Sequence, residues 1–90
     1  MAGVFLGTIP DYATDGVVGV PISGVVKGGP AEEGGVRGGD ILVGLGDQEL
    51  ENIYDFVRAL NGLKPGEEIG IAVKRGEGVV EMRVTPEARN

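Results

Sequence analysis

Glycine interrupts the apolar runs of this chain. Of its 90 residues 18 are glycine, and they are scattered among valine and isoleucine rather than grouped with serine and proline. This distribution predicts many tight turns and close backbone approaches, and it argues against disorder. A chain of this length can bury a single modest core. We therefore expect one domain over residues 1–90, excised from a larger protein.

Runs rich in valine and isoleucine predict the first two strands. Thr8–Tyr12 contains Pro10, which cannot donate to a β-ladder, so we expect this strand at a sheet edge. Val17–Lys27 is predicted as the second strand, in which Gly19 and Gly24 mark a bulge or bend. Three of its apolar residues are expected on one face: Val18, Val20 and Ile22.

Later strands follow the same pattern and are predicted at Ile41–Leu45, Glu49–Leu50, Ile69–Val73 and Val80–Val84. The last two are expected to form a hairpin around Gly76–Gly78. The residues after them, Pro86–Asn90, are expected to be a loose tail.

Two short helices are predicted. Gly28–Gly35 places Pro30 at a first helical position and ends in glycines. Asn52 is a favourable N-cap for a second helix that ends at Asn61–Gly62. The apolar residues of the second helix recur at helical spacing: Ile53, Phe56, Val57, Leu60 and Leu63. With five to six strands in the order ββαββαββ, we predict a mainly β fold, a partly open antiparallel barrel or sandwich.

The residue inventory excludes most catalytic chemistry. The chain has no histidine, cysteine or tryptophan, so it lacks Ser-His-Asp and Cys-His machinery and the usual transition-metal ligands. No cofactor is predicted. The formal charge of −6 disfavours nucleic acid as a partner, and no apolar run reaches the ~18 residues that span a bilayer. Asp11 and Asp15 bracket a loop that could hold calcium weakly, but their spacing does not match an EF-hand and a solvated loop is the competing interpretation.

Three blocks together resemble a PDZ domain: Phe5-Leu6-Gly7-Thr8, the stretch from Gly28 to Leu42, and Asn52 to Leu60. The order of elements is similar to the bacterial, circularly permuted form found in HtrA-type proteases. Because few residues precede the first block, the strand Val79–Thr85 would supply the missing first strand from the C-terminal end.

A narrower resemblance is carried by Leu6–Tyr12 and Glu51–Asp55. These segments look like the PDZ domain appended to bacterial secreted zinc aminopeptidases. That resemblance implies a parent protein in the periplasm or outside the cell, with its metal site wholly outside this fragment.

The resemblance implies peptide binding by β-augmentation. The loop formed by Phe5, Leu6, Gly7 and Thr8 would capture a terminal carboxylate with the N–H groups of its last three residues. The peptide would lie antiparallel to the first strand, in a groove formed by Ile9, Pro10, Ile53, Val57, Leu60 and Arg58. Ile53 stands where a histidine selects Ser or Thr in many of these domains, so an apolar ligand residue is expected there.

Two departures leave alternatives open. Thr8 replaces a large apolar residue, which predicts a wider or more polar pocket for the last side chain. Pro10 removes one ladder hydrogen bond, worth about 0.5–1.5 kcal/mol, which predicts weak binding or an internal segment as ligand. The competing functions are a structural domain whose groove holds its own parent chain or a second copy, as a monomer or weak dimer, and an enzyme fragment that acts through carboxylates alone.

Overall fold

The computed structural model of the protein describes residues 4–12 and 16–88, so Asp15 and the rest of the predicted loop at 13–15 lie outside the described residues. Eight strands and two helices lie in these ranges. The strands are β1 (Val4–Phe5), β2 (Thr8–Pro10), β3 (Val20–Val25), β4 (Ile41–Leu45), β5 (Gln48–Glu49), β6 (Ile69–Arg75), β7 (Gly78–Val84) and β8 (Glu87–Ala88). The helices are α1 (Pro30–Gly34) and α2 (Ile53–Asn61).

Six strands form one antiparallel sheet in the order β2-β3-β4-β6-β7, with β5 paired to β4. The sheet is open, with β2 and β7 at its edges. The predicted fold class is confirmed, because β2 to β7 and the two helices follow the predicted order ββαββαββ. The prediction of an edge position for the strand that contains Pro10 is also confirmed.

The start of β3 lies at Val20, three residues later than predicted. Gly19 precedes it with a φ of 120°, and a Cβ at this position would lie 2.7 Å from both Ile41 Cγ2 and the Leu42 carbonyl oxygen. Only glycine fits so close an approach. Val18 lies before this point and is 69% exposed, so the prediction that it shares one face with Val20 and Ile22 is wrong.

The predicted bulge near Gly24 is confirmed by the register between β2 and β3. Ile9 is opposite Gly24, but the next residue, Pro10, is opposite Ile22. Ser23 is therefore an extra residue in β3, and its hydroxyl donates to the Ile9 carbonyl at 3.1 Å.

The C-terminal residues correct one prediction. Pro86 is buried, and its carbonyl accepts a hydrogen bond from the Gly66 N–H at 2.8 Å. β8 then pairs antiparallel with β1. The expectation of a loose tail is therefore wrong for residues 86–88. The predicted strand Val79–Thr85 corresponds to β7, which pairs with β6 at the edge of the sheet opposite β2.

The two helices begin and end where the sequence predicts. Pro30 opens α1, and Val36 after it is buried in the core. The Asn52 side chain caps α2 by accepting a hydrogen bond from the Asp55 N–H at 3.0 Å, and Gly62 ends the helix. Neither of these helices, the two in the described ranges, has the length and apolar character to cross a membrane.

An ion pair between a buried carboxylate and a partly exposed guanidinium joins the turn after α1 to β6. Asp40 is only 2% exposed and accepts from Arg75 Nε at 2.8 Å and Nη2 at 2.6 Å. Arg75 also donates to the Gly35 carbonyl, and the Arg37 N–H donates to the Asp40 carboxylate. The Arg75 hydrogen bonds hold the pKa of Asp40 below its ordinary value, against burial, which raises it.

Candidate functional site

A groove of about 360 Å³ lies between β2 and α2. Its lining combines the loop before β2, alternate residues of the β2 segment and one side of α2. The lining residues are Val4, Phe5, Leu6, Gly7, Thr8, Pro10, Tyr12, Ile53, Phe56, Val57 and Leu60. Every one of these side chains is uncharged, so the groove suits an apolar occupant.

The loop at one end of the groove directs its carbonyl groups into the protein. The Leu6 carbonyl accepts from the Ala31 N–H, and the Gly7 carbonyl accepts from the Val26 N–H, both at 2.8 Å. In a trans peptide the carbonyl and the N–H that follows it point in opposite directions. The N–H groups of Gly7 and Thr8 therefore point away from α1 and β3, on the side of the groove that these residues line.

Gly7 makes this backbone turn possible. Its φ is +82°, which residues with a Cβ adopt at a cost. The Phe5 ring and the Gly29 backbone lie close by, at 3.4 and 3.5 Å from the position of a Cβ on Gly7. Successive N–H groups in such a turn form a concavity that attracts anions. The end of the groove therefore offers partial positive charge without a charged side chain.

The outer edge of β2 is defined by the hydrogen bonds at its two ends. The Gly7 carbonyl faces Val26, and the Asp11 N–H donates to the Pro21 carbonyl at 2.8 Å. Backbone groups alternate between the two sides of a strand, so those of Thr8 and Pro10 face outward. Thr8 presents an N–H and a carbonyl, whereas Pro10 presents a carbonyl only because proline has no N–H.

The α2 wall contains residues of very different burial. Val57 is 50% exposed, Ile53 and Leu60 are partly buried, and Phe56 is only 4% exposed. Phe56 contributes to two surfaces. It packs in the core and also lines the groove, because a residue between Ile53 and Leu60 on a helix contributes to both surfaces.

Eight of the ten predicted site residues line the groove: Phe5, Leu6, Gly7, Thr8, Pro10, Ile53, Val57 and Leu60. Ile9 and Arg58 do not. The Ile9 side chain lies beside Gly24 and is 45% exposed, because alternation places it on the other face of β2. Arg58 is on the solvated flank of α2, with Nη1 3.8 Å from Asp55 Oδ1.

Sequence reasoning missed three lining residues, which are Val4, Tyr12 and Phe56 as a groove residue. The period of two from Thr8 through Pro10 indicates Tyr12, and the i+3 spacing from Ile53 indicates Phe56. Val4 had no such signal, because it is placed by its pairing with Ala88.

Metal binding gains no support in the part of the chain that the structure describes. No three side chains of the ligating types (His, Cys, Asp or Glu) come together there. The groove itself contains neither a carboxylate pair nor a base beside its only hydroxyls, those of Thr8 and Tyr12. Its geometry is suited to binding and not to catalysis.

Comparison with known proteins places the chain in a family. The family model described as PDZ domain matches residues 4–85. The chain is 34% identical over 74 residues to a probable periplasmic serine endoprotease, DegP-like, from Chlamydia muridarum. That alignment covers 82% of this chain but 15% of the relative, so the chain spans a small part of the relative's length.

Two solved structures share the fold. The HtrA3 PDZ domain bound to a phage-derived ligand (FGRWV) has a TM-score of 0.75 and 22% identity, covering 99% of this chain and 89% of that one. An aminopeptidase N family protein from Idiomarina loihiensis has a TM-score of 0.80 and 20% identity, covering 96% of this chain and 14% of that one. At these identities the likeness concerns the fold.

Proposed function

The chain belongs to the PDZ domain family, and we propose that its groove binds the free C-terminus of an extended peptide with apolar last residues. The peptide adds to the outer edge of β2 as an antiparallel strand and lies against α2. The domain itself is a non-catalytic binding module.

One observation carries this proposal: the outward N–H groups of Gly7 and Thr8 end an otherwise apolar groove. A carboxylate is the group that two convergent N–H donors favour, and charge-assisted hydrogen bonds of this kind are stronger than neutral ones. Only the last residue of a peptide carries such a group on its backbone. The loop therefore favours a chain terminus over an internal segment.

The apolar lining assigns positions to the ligand side chains. The last side chain enters the pocket between the loop and the buried end of the groove, where Phe5, Phe56 and Leu60 lie. The third-last side chain points the same way and meets Ile53 and Val57. The HtrA3 PDZ domain, which shares this fold, binds a peptide that ends in valine, and this supports an apolar last residue here.

A titration with two peptides tests the proposal. The ¹⁵N-labelled chain is mixed with FGRWV carrying either a free carboxyl or a C-terminal amide. We expect the free acid to shift the amide signals of 6–8 and 53–60 and to bind at least tenfold more tightly than the amide. Equal affinities would contradict carboxylate capture. Ile9→Ala is the matched control, because Ile9 lies on β2 but outside the groove.

The parent protein is proposed to be a peptidase that this module regulates or targets. A curated relative is a serine endoprotease, and a protein with the same fold belongs to the aminopeptidase N family. The narrower prediction of a zinc aminopeptidase stays a prediction, as does a location in the periplasm or outside the cell. Fusing the chain to candidate catalytic domains and measuring activation by FGRWV tests this role.

Pro10 favours a second candidate, in which the groove holds a segment of the parent chain. An edge strand that lacks a donor binds a foreign strand weakly, whereas a tethered segment gains from its high effective concentration. Concentration-dependent sedimentation separates this case from a dimer formed by two copies. A longer parent fragment that no longer binds free FGRWV would support it.

A further inference from the structure

Within the proposed function, we infer that the groove recognises the ligand backbone, apart from its carboxylate, only through backbone carbonyl groups of the protein that accept hydrogen bonds. The N–H groups of the last and third-last ligand residues are required, and the third-last carbonyl is not. The favoured ligands are therefore C-terminal peptides that keep both N–H groups, with any ester or tertiary amide confined to the bond between the third-last and penultimate residues.

The outward groups of β2 set this pattern. Thr8 and Pro10 both face outward, since Gly7 and Asp11 on either side bond to Val26 and Pro21. In an antiparallel ladder each outward residue exchanges two hydrogen bonds with the residue opposite it. The last ligand residue lies opposite Thr8, because its carboxylate accepts from the Thr8 N–H. Its own N–H then donates to the Thr8 carbonyl.

The third-last ligand residue lies opposite Pro10, two positions along the strand. Its N–H donates to the Pro10 carbonyl. Its carbonyl faces the proline nitrogen, which has no hydrogen to donate. The penultimate residue points both of its backbone groups away from β2. The bond between the third-last and penultimate residues therefore makes no hydrogen bond to the protein.

Replacing single peptide bonds by esters tests the inference. An ester removes one N–H and weakens the acceptor strength of the carbonyl before it. The probe is the peptide FGVWV. Each ester is made by replacing one residue with its hydroxy acid, which is an analogue of valine or tryptophan. Because the chain has no tryptophan, the fluorescence of the peptide's tryptophan reports binding directly.

We expect esters that remove the N–H of the last or of the third-last residue to raise Kd about fivefold each, the loss of one net hydrogen bond. The ester that removes the penultimate N–H should change Kd by less than about 1.5-fold. An equal loss for all three esters would overturn the inference. In Pro10→Ala, which restores the missing donor, the penultimate ester should now raise Kd about two- to threefold, because its carbonyl still accepts but more weakly.

Different results would contradict the proposed function and the inference about Pro10. If the free acid and amide of FGVWV bind equally, or neither binds, the proposed function fails and the inference falls with it. If the free acid is preferred but the penultimate ester raises Kd as much as the other two esters do, only the inference fails. Pro10→Val repeats the test with a β-branched residue, so that a change in strand conformation in Pro10→Ala cannot mimic the result.

Discussion

In the proposed function, carboxylate capture depends on Gly7, because its positive φ turns two N–H groups toward the groove. Gly7→Ala should lower the free energy of unfolding by about 1–2 kcal/mol, the cost of a left-handed conformation for a residue with a Cβ. It should also weaken FGRWV binding at least tenfold as the turn relaxes. Urea unfolding and peptide titration measure the two effects.

Gly66 provides the matched control. Its φ of +84° is nearly that of Gly7, and no heavy atom lies within 4 Å of a Cβ built on it. Gly66→Ala should therefore cost similar stability, and it should leave peptide affinity unchanged because Gly66 does not line the groove. If both variants bind FGRWV equally well, the Gly7 turn has no role in recognition.

In the proposed function, Ile53 contacts the third-last side chain of the ligand. It lies at the first position of α2 and lines the groove without a hydrogen-bonding group. Wild type should therefore bind FGVWV more tightly than FGTWV, by about threefold for the apolar contact that threonine loses. Ile53→His should reverse the order, because the imidazole can hydrogen-bond the threonine hydroxyl. An unchanged order in the variant would assign the selectivity to another residue.

At the scale of elements, α2 could be predicted completely and β8 could not. An N-cap, an apolar repeat and a terminal glycine define α2 locally, so its sequence contains the information. β8 has two residues and no alternation, and it forms because burial of Pro86 brings it beside β1. The sequence does not predict the ion pair of Asp40 with Arg75 either, since 35 positions separate the two residues.

The edge strand of the groove also combines a feature that the sequence predicts with one that it does not. Pro10 alone predicted an edge strand without a donor, because that consequence follows from covalent chemistry. Alternation separates Ile9 from Thr8 and Pro10, but the sequence could not say which of the two faces lines the groove, since that depends on the register. The register of β2 is defined by the bulge at Ser23, a feature of the β2–β3 pair rather than of either strand.

The Asp40–Arg75 pair joins three elements, and its loss should be visible in the pH dependence of stability. Asp40 has a folded pKa below its ordinary value of 3.8 because of the Arg75 hydrogen bonds. Between the two pKa values the unfolded chain binds more protons, so this contribution is complete above the unfolded pKa and is lost as pH falls through the folded one. Asp40→Asn should lower the free energy of unfolding at pH 7, with a smaller difference from wild type below about pH 4.

Arg75→Gln is the companion variant, measured by urea unfolding at pH 7 and pH 3. It leaves the Asp40 carboxylate buried without its cation, so the pKa of Asp40 should rise toward or above its ordinary value. The destabilisation should then shrink on acidification, as the carboxyl becomes neutral. A difference from wild type that is independent of pH would show that the pair acts through packing alone.

At the scale of the whole molecule, the two ends of the described chain meet beside the groove. β1 supplies Val4 and Phe5 to the lining, and its partner β8 comes from the other end of the chain. Truncation after Pro86 removes β8 but keeps the Pro86 carbonyl that accepts from Gly66. We expect a loss of about 1 kcal/mol from the missing ladder and a several-fold weaker affinity for FGRWV, because β1 loses its partner.

Hydrogen exchange separates this effect from a general loss of stability. In the variant truncated after Pro86, the amides of Leu6, Gly7 and Thr8 should exchange faster by more than the global change in stability requires. Truncation after Ala88 keeps both β1–β8 pairs and should behave as the full chain does. If both truncations bind FGRWV equally, the loop is held by α1 and β3 alone, through the Ala31 and Val26 hydrogen bonds. The groove would then be independent of the C-terminal strand.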